Sequence, residues 1–154
     1  MANDIFSSVG TTLSVVDSAP DTFDTAGFQA LTYSLVGEAT EIPAFGAEAA
    51  LATHTPLATG IVNKRRGSIN YGSVTVPLAL SASDAGQAIL EAAGRADAGV
   101  DSQVSVEIKL ADGVTTLYAT AQVMSFKTNV GNSDAISMAE VTLELDSKVF
   151  VVGA

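Results

Sequence analysis

The sequence predicts a mainly β, single-domain protein: a β-sandwich or barrel with one flanking α-helix at about residues 82–94. Several segments alternate apolar and polar residues with a period of two, which is typical of strands that bury one face. One segment, after Ser81, instead repeats apolar residues every three or four positions, as one face of a helix does. A length of 154 residues is the usual size of one domain, so we expect residues 1–154 to fold as one unit.

The first strand is predicted at "TTLSVV", residues 11–16. The connection that follows is rich in turn-forming residues, namely Pro20, Asp21, Asp24 and Gly27. A second strand is predicted within "FQALTYSLVG", residues 28–37, because its apolar residues alternate with small or polar ones. The two ends of the chain, residues 1–10 and 147–154, are expected to be flexible arms or inter-subunit segments.

The alternation is lost from about residue 37 to residue 67. A segment of this length without a pattern is unusual inside a compact domain and tends to be functional or to gain order from a partner. We therefore expect a long irregular excursion that folds against a neighbouring subunit. Its candidate interface residues are Ile42, Phe45, Leu57, Lys64, Arg65 and Arg66.

The three consecutive bases Lys64, Arg65 and Arg66 belong to a chain with only 7 basic and 17 acidic residues. They are too few for a phosphate-binding stripe, which typically makes about 6–10 contacts. Two interpretations remain open. The bases lie in an exposed loop, or they meet acids of an adjacent identical subunit and fix the register of assembly.

A regular pattern returns with "SVTVPLAL", residues 73–80, which predicts a strand with one buried face. The helix follows. Asp84, three residues after Ser81, is a weak capping-box signal, and Gly94 or Gly99 can end the helix.

Asp112-Gly113 is a strong signal for a tight hairpin. The strands on either side of it are predicted at residues 103–110 and 114–124, both with alternating apolar residues. A last strand is predicted within "SMAEVTLEL", residues 137–145.

No catalytic, cofactor or metal site is predicted, so we expect the protein not to be an enzyme. The chain has no Cys and one His, His54, and it lacks a G-x-S-x-G nucleophile elbow and a Gly-rich phosphate loop. Glu144 and Asp146 lie roughly 7 Å apart along a strand, a spacing found in inverting glycosidases. Because their neighbours include no sugar-stacking aromatic residue, a solvated acidic strand face is the better interpretation.

The composition favours burial against other subunits. A net charge of −10 argues against a surface that grips nucleic acid. Charged residues make up 16% of the chain and apolar ones 47%, which leaves little charge to cover the outside. No secretory signal is recognisable, and no apolar stretch approaches the roughly 20 residues that span a bilayer.

The order of these elements resembles the major tail tube proteins of long-tailed, lambda-type bacteriophages (siphoviruses), over about residues 9–148. The segments that carry the resemblance are "THTPLATG" (53–60), Lys64, "GSINYGSVTVPL" (67–78), "SDAGQAIL" (83–90), "VEIKLADGVTTLYATAQVMS" (106–125) and "SMAEVTLEL" (137–145). In that family a strand, a D-x-G-Q-x-x-L helix and a Gly-containing hairpin recur in this order.

The resemblance implies a virion structural protein, made in the cytoplasm of the host bacterium. Its hexameric rings would stack into a hollow tube that conducts the DNA genome during ejection. The helix would pack on the outer side of the barrel and leave the opposite sheet free to join its neighbours around the lumen. The implied partners are further copies of the chain, the tail tip or initiator, the tape measure and the tail terminator.

DNA would pass through the tube without specific binding, because a negative lumen repels phosphate. The candidate lumen residues are the acids predicted on outward strand faces, Glu107, Glu140, Glu144 and Asp146. Two alternatives remain: a ring-forming tube subunit of a contractile secretion machine, and a capsid-decorating or tail-tip binding module. The segment 37–67 discriminates against the module, since a monomer has no reason to keep such a segment ordered.

Overall fold

Most of the strands belong to one antiparallel sheet. The computed structural model describes residues 5–153. Its elements in chain order are β1 (Thr12–Val16), α1 (Thr25–Gln29), β2 (Ser34–Val36), β3 (Glu48–His54), β4 (Asn63–Asn70), β5 (Ser73–Ala79), α2 (Ala85–Gly94), β6 (Gln103–Lys109), β7 (Thr116–Asn129), β8 (Met138–Leu145) and β9 (Phe150–Val152). The prediction of a mainly β, single-domain fold is confirmed.

The large sheet has seven strands in the order β2-β1-β6-β7-β8-β5, with β9 also paired to β7. β2 and β5 are the outer strands, and the chain after β2 joins them. The Thr40 N–H donates to the Pro77 carbonyl, and the Ala79 N–H donates to the Glu38 carbonyl, each at 3.0 Å. The sheet therefore curls until its edges meet at one point, which gives a barrel-like layer around the core.

The core lies on the concave side of this curled sheet. Alternate residues of β5 and β8 point inward, as the period-two pattern predicts. The fully buried side chains with the largest volumes include Val15, Leu78, Leu90, Val104, Val141 and Leu143. The void left among apolar side chains measures only about 20 Å³, so side chains fill the interior.

Helix α2 forms where the sequence predicts it. Its N-cap is Asp84, whose Oδ1 accepts the Gln87 N–H at 2.9 Å; this is a single cap rather than a reciprocal pair with Ser81. The helix ends at Gly94 and packs against β1, β2 and β7. Leu90 is part of the core of the sheet, so the helix contributes to the core itself.

The segment 37–67 is irregular only in part: residues 37–47 and 55–62 lie outside the strands, whereas residues 48–54 and 63–67 belong to β3 and β4, so the prediction of one continuous irregular excursion is wrong. β3 and β4 form a separate two-stranded antiparallel sheet that extends to Asn70. Apart from Ala49 and Gly67, which are half-buried, every residue of the two strands is exposed. The sequence shows no alternation here because neither face of the hairpin packs on the chain's own core.

Two glycines stand at the base of the β3–β4 hairpin. Gly46 and Gly72 have φ angles of +135° and +85°, which L side chains rarely adopt. A Cβ atom at Gly72 would lie 3.1 Å from the Gly46 carbonyl oxygen. The chain thus leaves the barrel and returns to it at adjacent points, and the hairpin projects between them.

A second helix, α1, replaces part of the predicted second strand. Asp24 caps it by accepting the Gly27 N–H at 2.7 Å, a bond that lowers the pKa of this carboxyl group. The strand itself shrinks to Ser34–Val36. The predicted strand began at Phe28, an apolar residue that fits a buried strand position. In the structure Phe28 is instead a fully buried residue of α1.

α1 and β9 cover the outer face of β6 and β7 with aromatic rings. The Phe28 ring lies 5.8 Å from that of Tyr118 and 5.3 Å from that of Phe150, and Tyr33 lies 5.9 Å from Tyr118. Glu107, paired with Tyr118 across the strands, is therefore only 9% exposed. The expectation that Glu107 lies on an exposed strand face is wrong, because the sequence did not reveal this aromatic layer.

The β6–β7 hairpin is confirmed at Asp112-Gly113, where Gly113 has a φ of +79°. β7 runs beyond the predicted residue 124 to Asn129. A bulge between Val123 and Ser125 shifts the strand's register.

The two ends of the chain differ from each other. Residues 5–10 are exposed, and their role as an arm stays a prediction. Within the predicted tail 147–154, Phe150–Val152 instead form β9, paired to β7. Residues 1–4 and 154, which belong to the two predicted arms, lie outside the described residues.

Candidate functional site

The β3–β4 hairpin has two chemically different faces. Residues paired directly across antiparallel strands share a face, and Leu51 pairs with Arg66 while Thr53 pairs with Lys64. With Ala49 and Ile69, which are also paired, these residues form what we call the basic face. Its two large apolar side chains are 66% (Leu51) and 49% (Ile69) exposed.

The opposite face of the hairpin is small and polar. Ala52 pairs with Arg65 and His54 with Asn63, all four exposed. The guanidinium of Arg65 donates to the Lys64 carbonyl at 2.9 Å. The hairpin thus separates the three consecutive bases, with Lys64 and Arg66 on the basic face and Arg65 behind them.

The structure divides the predicted interface residues into two groups. Ile42 and Phe45 are half-buried and pack against the chain's own core. Leu57, in the loop at the tip of the hairpin, is fully exposed. The three bases are exposed as well, but they lie in strand β4, so the interpretation that they belong to a loop is wrong; their contact with acids of an adjacent subunit stays a prediction.

A groove of about 580 Å³ runs beside the base of the hairpin. Its apolar lining includes Leu35, Ile42, Phe45 and Leu110. Two exposed acids, Glu38 and Glu41, also line it. We call this site the acidic groove.

The N-terminus of α2 fixes one wall of the acidic groove. Asp84 Oδ2 accepts the Gly37 N–H at 2.8 Å, and Gln87 Nε2 donates to the carbonyls of Gly37 and Ala79 at 3.0 and 2.9 Å. Gln87 Oε1 accepts the Ser81 N–H at 3.0 Å. These bonds bind the turn after β2 to the end of β5, so four segments of the chain are fixed at one point.

The residues of "SDAGQAIL" therefore have a structural explanation. Gln87 is 3% exposed with its amide satisfied, and Leu90 is in the core. A Cβ atom at Gly86 would lie 2.4 Å from the Leu35 carbonyl oxygen, so glycine is needed for the helix to approach β2. Sequence reasoning found this motif but did not connect it with the groove.

Glu38 has a φ of +62°, the left-handed region that favours glycine. Its carbonyl is fixed by the Ala79 N–H. Strained backbone of this kind is maintained only where the surroundings over-determine it. The backbone at Glu38 is therefore held in place by its hydrogen bond to β5.

A polar strand face covers the other half of the curled sheet. Glu140 is exposed and Glu144 half-buried, on the side of β8 opposite the core. Thr75 and Thr142 share a hydrogen bond of 3.2 Å across β5 and β8 on the same face. Asp146 follows β8, exposed, and accepts hydrogen bonds from Thr120 Oγ1 and from Gln103 Nε2. Three of the four predicted acids are thus brought to one side of the sheet.

Glu107 belongs to a different environment. Its carboxylate lies 3.6 Å from the Lys109 ammonium. Burial raises the pKa of the neighbouring Tyr118 phenol to about 12, and the charge of Glu107 adds to the increase. Burial raises the pKa of Tyr33 in the same way.

The described residues give little support for a histidine-based site, a metal site or a membrane-spanning helix. His54 is exposed at the end of β3. Between residues 5 and 153 no group of three or more His, Cys, Asp or Glu side chains is arranged to hold a metal ion. Neither helix in this range is long and apolar enough to cross a membrane.

Comparison with known proteins gives matches in structure alone. No protein-family model and no curated protein matches the sequence. The cryo-EM structure of the anti-feeding prophage (AFP) baseplate, sixfold symmetrised, contains a chain that matches with a TM-score of 0.74 at 10% identity, covering 99% of this chain and 98% of that one. The sheath/tube terminator of PVC, an extracellular contractile injection system, matches at 0.64 and 12%, covering 96% of each chain.

A phage structure is also similar. The SPP1 tail tube, solved by solid-state NMR and cryo-EM, matches with a TM-score of 0.60 at 14% identity, covering 94% of this chain and 77% of that one. At such identities the likeness is one of fold. The chain shares its fold with tail tube, terminator and baseplate proteins of phages and contractile injection systems.

Proposed function

We propose that this chain is a self-assembling structural subunit of a phage tail tube and not an enzyme. Hexameric rings of it stack into a hollow tube that conducts the DNA genome during ejection. The observation that carries the proposal is the β3–β4 hairpin, which is ordered yet exposed on both faces in a fold shared with tube subunits. An isolated two-stranded hairpin is marginally stable in water, so a contact outside the chain explains why it is kept.

The polar strand face is the proposed lumen wall. Glu140, Glu144 and Asp146 lie on the part of the sheet that α1 and β9 leave uncovered. Carboxylates there repel phosphate and let DNA slide without binding. Glu107 is left out of the proposal because it is buried beneath the aromatic layer.

Reversal of the lumen charge tests this assignment. In phage particles, Glu140→Lys with Glu144→Lys is expected to leave tubes intact and to slow or abort genome ejection, because lysines hold the phosphates. Fluorescence of a DNA-binding dye follows the ejection. Ejection at the normal rate would contradict the assignment of these two residues to the lumen.

A tube subunit of a contractile machine is the second candidate. The observation that favours it is the extent of the structural matches. The matching chains of the AFP baseplate and PVC terminator structures align with this chain over nearly the whole length of each chain. The remaining partners proposed for either tube are an initiator or tail tip, a tape measure and a terminator.

Electron microscopy of the purified protein, with its mass by light scattering over a concentration series, tests the proposed function. We expect hollow tubes or rings of uniform width. A particle that stays monomeric at every concentration would contradict self-assembly and favour a decorating or tail-tip module.

A pair of variants tests whether assembly depends on the β3–β4 hairpin. Leu51→Asp with Ile69→Asp removes the two large apolar side chains of the basic face and offsets its positive charge, so it is expected to abolish assembly. Val100→Asp is the matched control, because Val100 is 58% exposed but lies outside the hairpin. Equal loss in both variants would show that the hairpin has no special part.

A further inference from the structure

We propose that the acidic groove of one subunit receives the basic face of the β3–β4 hairpin of a second copy of this chain. This inference rests on the proposed function and names the surface that the hairpin contacts. In the proposed contact, Lys64 and Arg66 face Glu38 and Glu41 of the other copy. Arg65 is directed away from the groove.

The two surfaces are complementary in charge and in polarity. The groove combines an apolar lining with two exposed carboxylates. The basic face combines exposed Leu51 and Ile69 with two cations. Apolar contacts of this kind supply affinity, while opposed charges select the partner and its register.

Neither set of charges is paired within one subunit. In the part of the chain from residue 5 to residue 153, the ion pairs are Arg95 with Glu91 and Lys109 with Glu107. The four charges of the proposed contact are therefore available for an intermolecular pair. Three of the chain's seven bases lie in this hairpin, which concentrates positive charge on a strongly acidic protein.

The geometry favours a second copy over the hairpin's own groove. Thr53, which pairs with Lys64, is five residues along β3 from the first residue of the strand, so Lys64 lies about 16 Å from the base of the hairpin. The acidic groove adjoins that base through Phe45. The wall is held rigid by Asp84 and Gln87, so the receptor is preorganised and little ordering entropy opposes docking.

A charge reversal on either surface tests the contact. Lys64→Glu with Arg66→Glu is expected to raise the concentration needed for assembly by at least about tenfold, because like charges then face each other. Glu38→Lys with Glu41→Lys should do the same. Arg65→Glu with Arg95→Glu is the control, since it changes the net charge as much as the hairpin variant but lies off the basic face.

Two further experiments, a mixture of the two variants and a chain with all four substitutions, decide whether the two surfaces contact each other. A mixture of the hairpin variant and the groove variant is expected to assemble by alternation, because each hairpin then meets a groove of opposite charge. A chain carrying all four substitutions, whose net charge is the original one, should assemble alone. Failure of both to recover would overturn the inference while the proposed function stands, provided that the unsubstituted chain forms tubes.

Cross-linking supplies a readout that does not depend on charge. The chain has no cysteine, so Leu51→Cys in one copy and Leu35→Cys in another place one thiol on each surface. We expect a disulfide between the two copies in assembled tubes and little with Ala52→Cys, which lies on the opposite face. Tubes with no Leu51–Leu35 cross-link would overturn the inference alone. An unsubstituted chain that never associates would overturn both proposals.

Discussion

The β3–β4 and β6–β7 hairpins are both antiparallel strand pairs, but their surroundings are opposite. In β6 five consecutive residues, 104–108, are buried, because core side chains lie on one face and the aromatic layer on the other. In β3 and β4 only Ala49 and Gly67 are even half-buried. β6 pairs with residues 116–122 of β7 without interruption, whereas the pairing of β3 with β4 has a register shift between Ala49 and Leu51.

The difference separates residues that make the fold from residues that make contacts. Removal of a side chain from the β6–β7 region leaves a cavity in a close-packed core. Removal of one from the β3–β4 hairpin is expected to leave the stability of the monomer almost unchanged and, under the proposed function, to weaken the contact with a neighbouring subunit. Stability and assembly should therefore respond to different substitutions.

The largest expected effect on stability is a core truncation. Leu78→Ala on β5 removes a fully buried side chain and is expected to lower the free energy of unfolding by about 2–5 kcal/mol. Leu57→Ala, at the exposed tip of the hairpin, should change it by less than about 0.5 kcal/mol. Urea unfolding measures the free energy of unfolding of both variants. Equal decreases in the two variants would contradict the distinction between the core and the hairpin.

The groove wall should show an intermediate effect. Gln87→Leu leaves the carbonyls of Gly37 and Ala79 without a donor, and a loss of about 1–3 kcal/mol is expected in urea unfolding. Gln103→Leu is the control, because Gln103 bonds to the exposed Asp146 and should cost less than about 1 kcal/mol. A Gln87 variant no less stable than the control would mean that this network does not fix the wall.

The sequence predicted the regular elements whose faces differ in polarity. β5, α2 and the β6–β7 hairpin were found because one apolar face leaves a period in the sequence, even in β6, whose polar face is buried as well. Asp112-Gly113 was sufficient for the hairpin turn, since Asp112 accepts the N–H groups of Val114 and Thr115.

The elements that were missed lack such a period. β3 and β4 have no buried face, so no alternation marks them as strands. α1 is a helix of five residues, too short for a helical repeat to stand out, although Asp24 was a cap signal that sequence reasoning read as a turn. Glu107 lies on the outer face of the sheet, as predicted, but it is buried there by an aromatic layer that includes Phe28 and Phe150, which are distant from it in sequence.

The aromatic layer should be sensitive to alkali. Because burial raises the pKa of Tyr118 from 10.0 to about 12, the folded protein keeps this phenol neutral at pH values where the unfolded chain ionises it. The stability it contributes is complete below about pH 10 and is lost as the pH rises towards about 12. Thermal unfolding of Tyr118→Phe should decline less steeply over this window than that of the unsubstituted protein. If the stability of the two proteins fell equally steeply with pH, the raised pKa of Tyr118 would be contradicted.

The smallest effect on the monomer is expected at the basic face. Leu51→Ala should change the free energy of unfolding by less than about 0.5 kcal/mol, since the side chain is 66% exposed. The same variant should assemble poorly in light scattering, because the apolar contact is lost. A destabilised monomer would instead make Leu51 a residue of the fold.

Hydrogen–deuterium exchange before and after assembly tests the central claim most directly, because it reports on both hairpins in one experiment. We predict that amides of residues 48–54 and 63–70 exchange quickly in the monomer and become protected in tubes, while those of residues 104–108 stay protected in both states. Tubes in which the β3–β4 hairpin exchanges as quickly as in the monomer would contradict the claim that this hairpin exists to contact a neighbouring subunit.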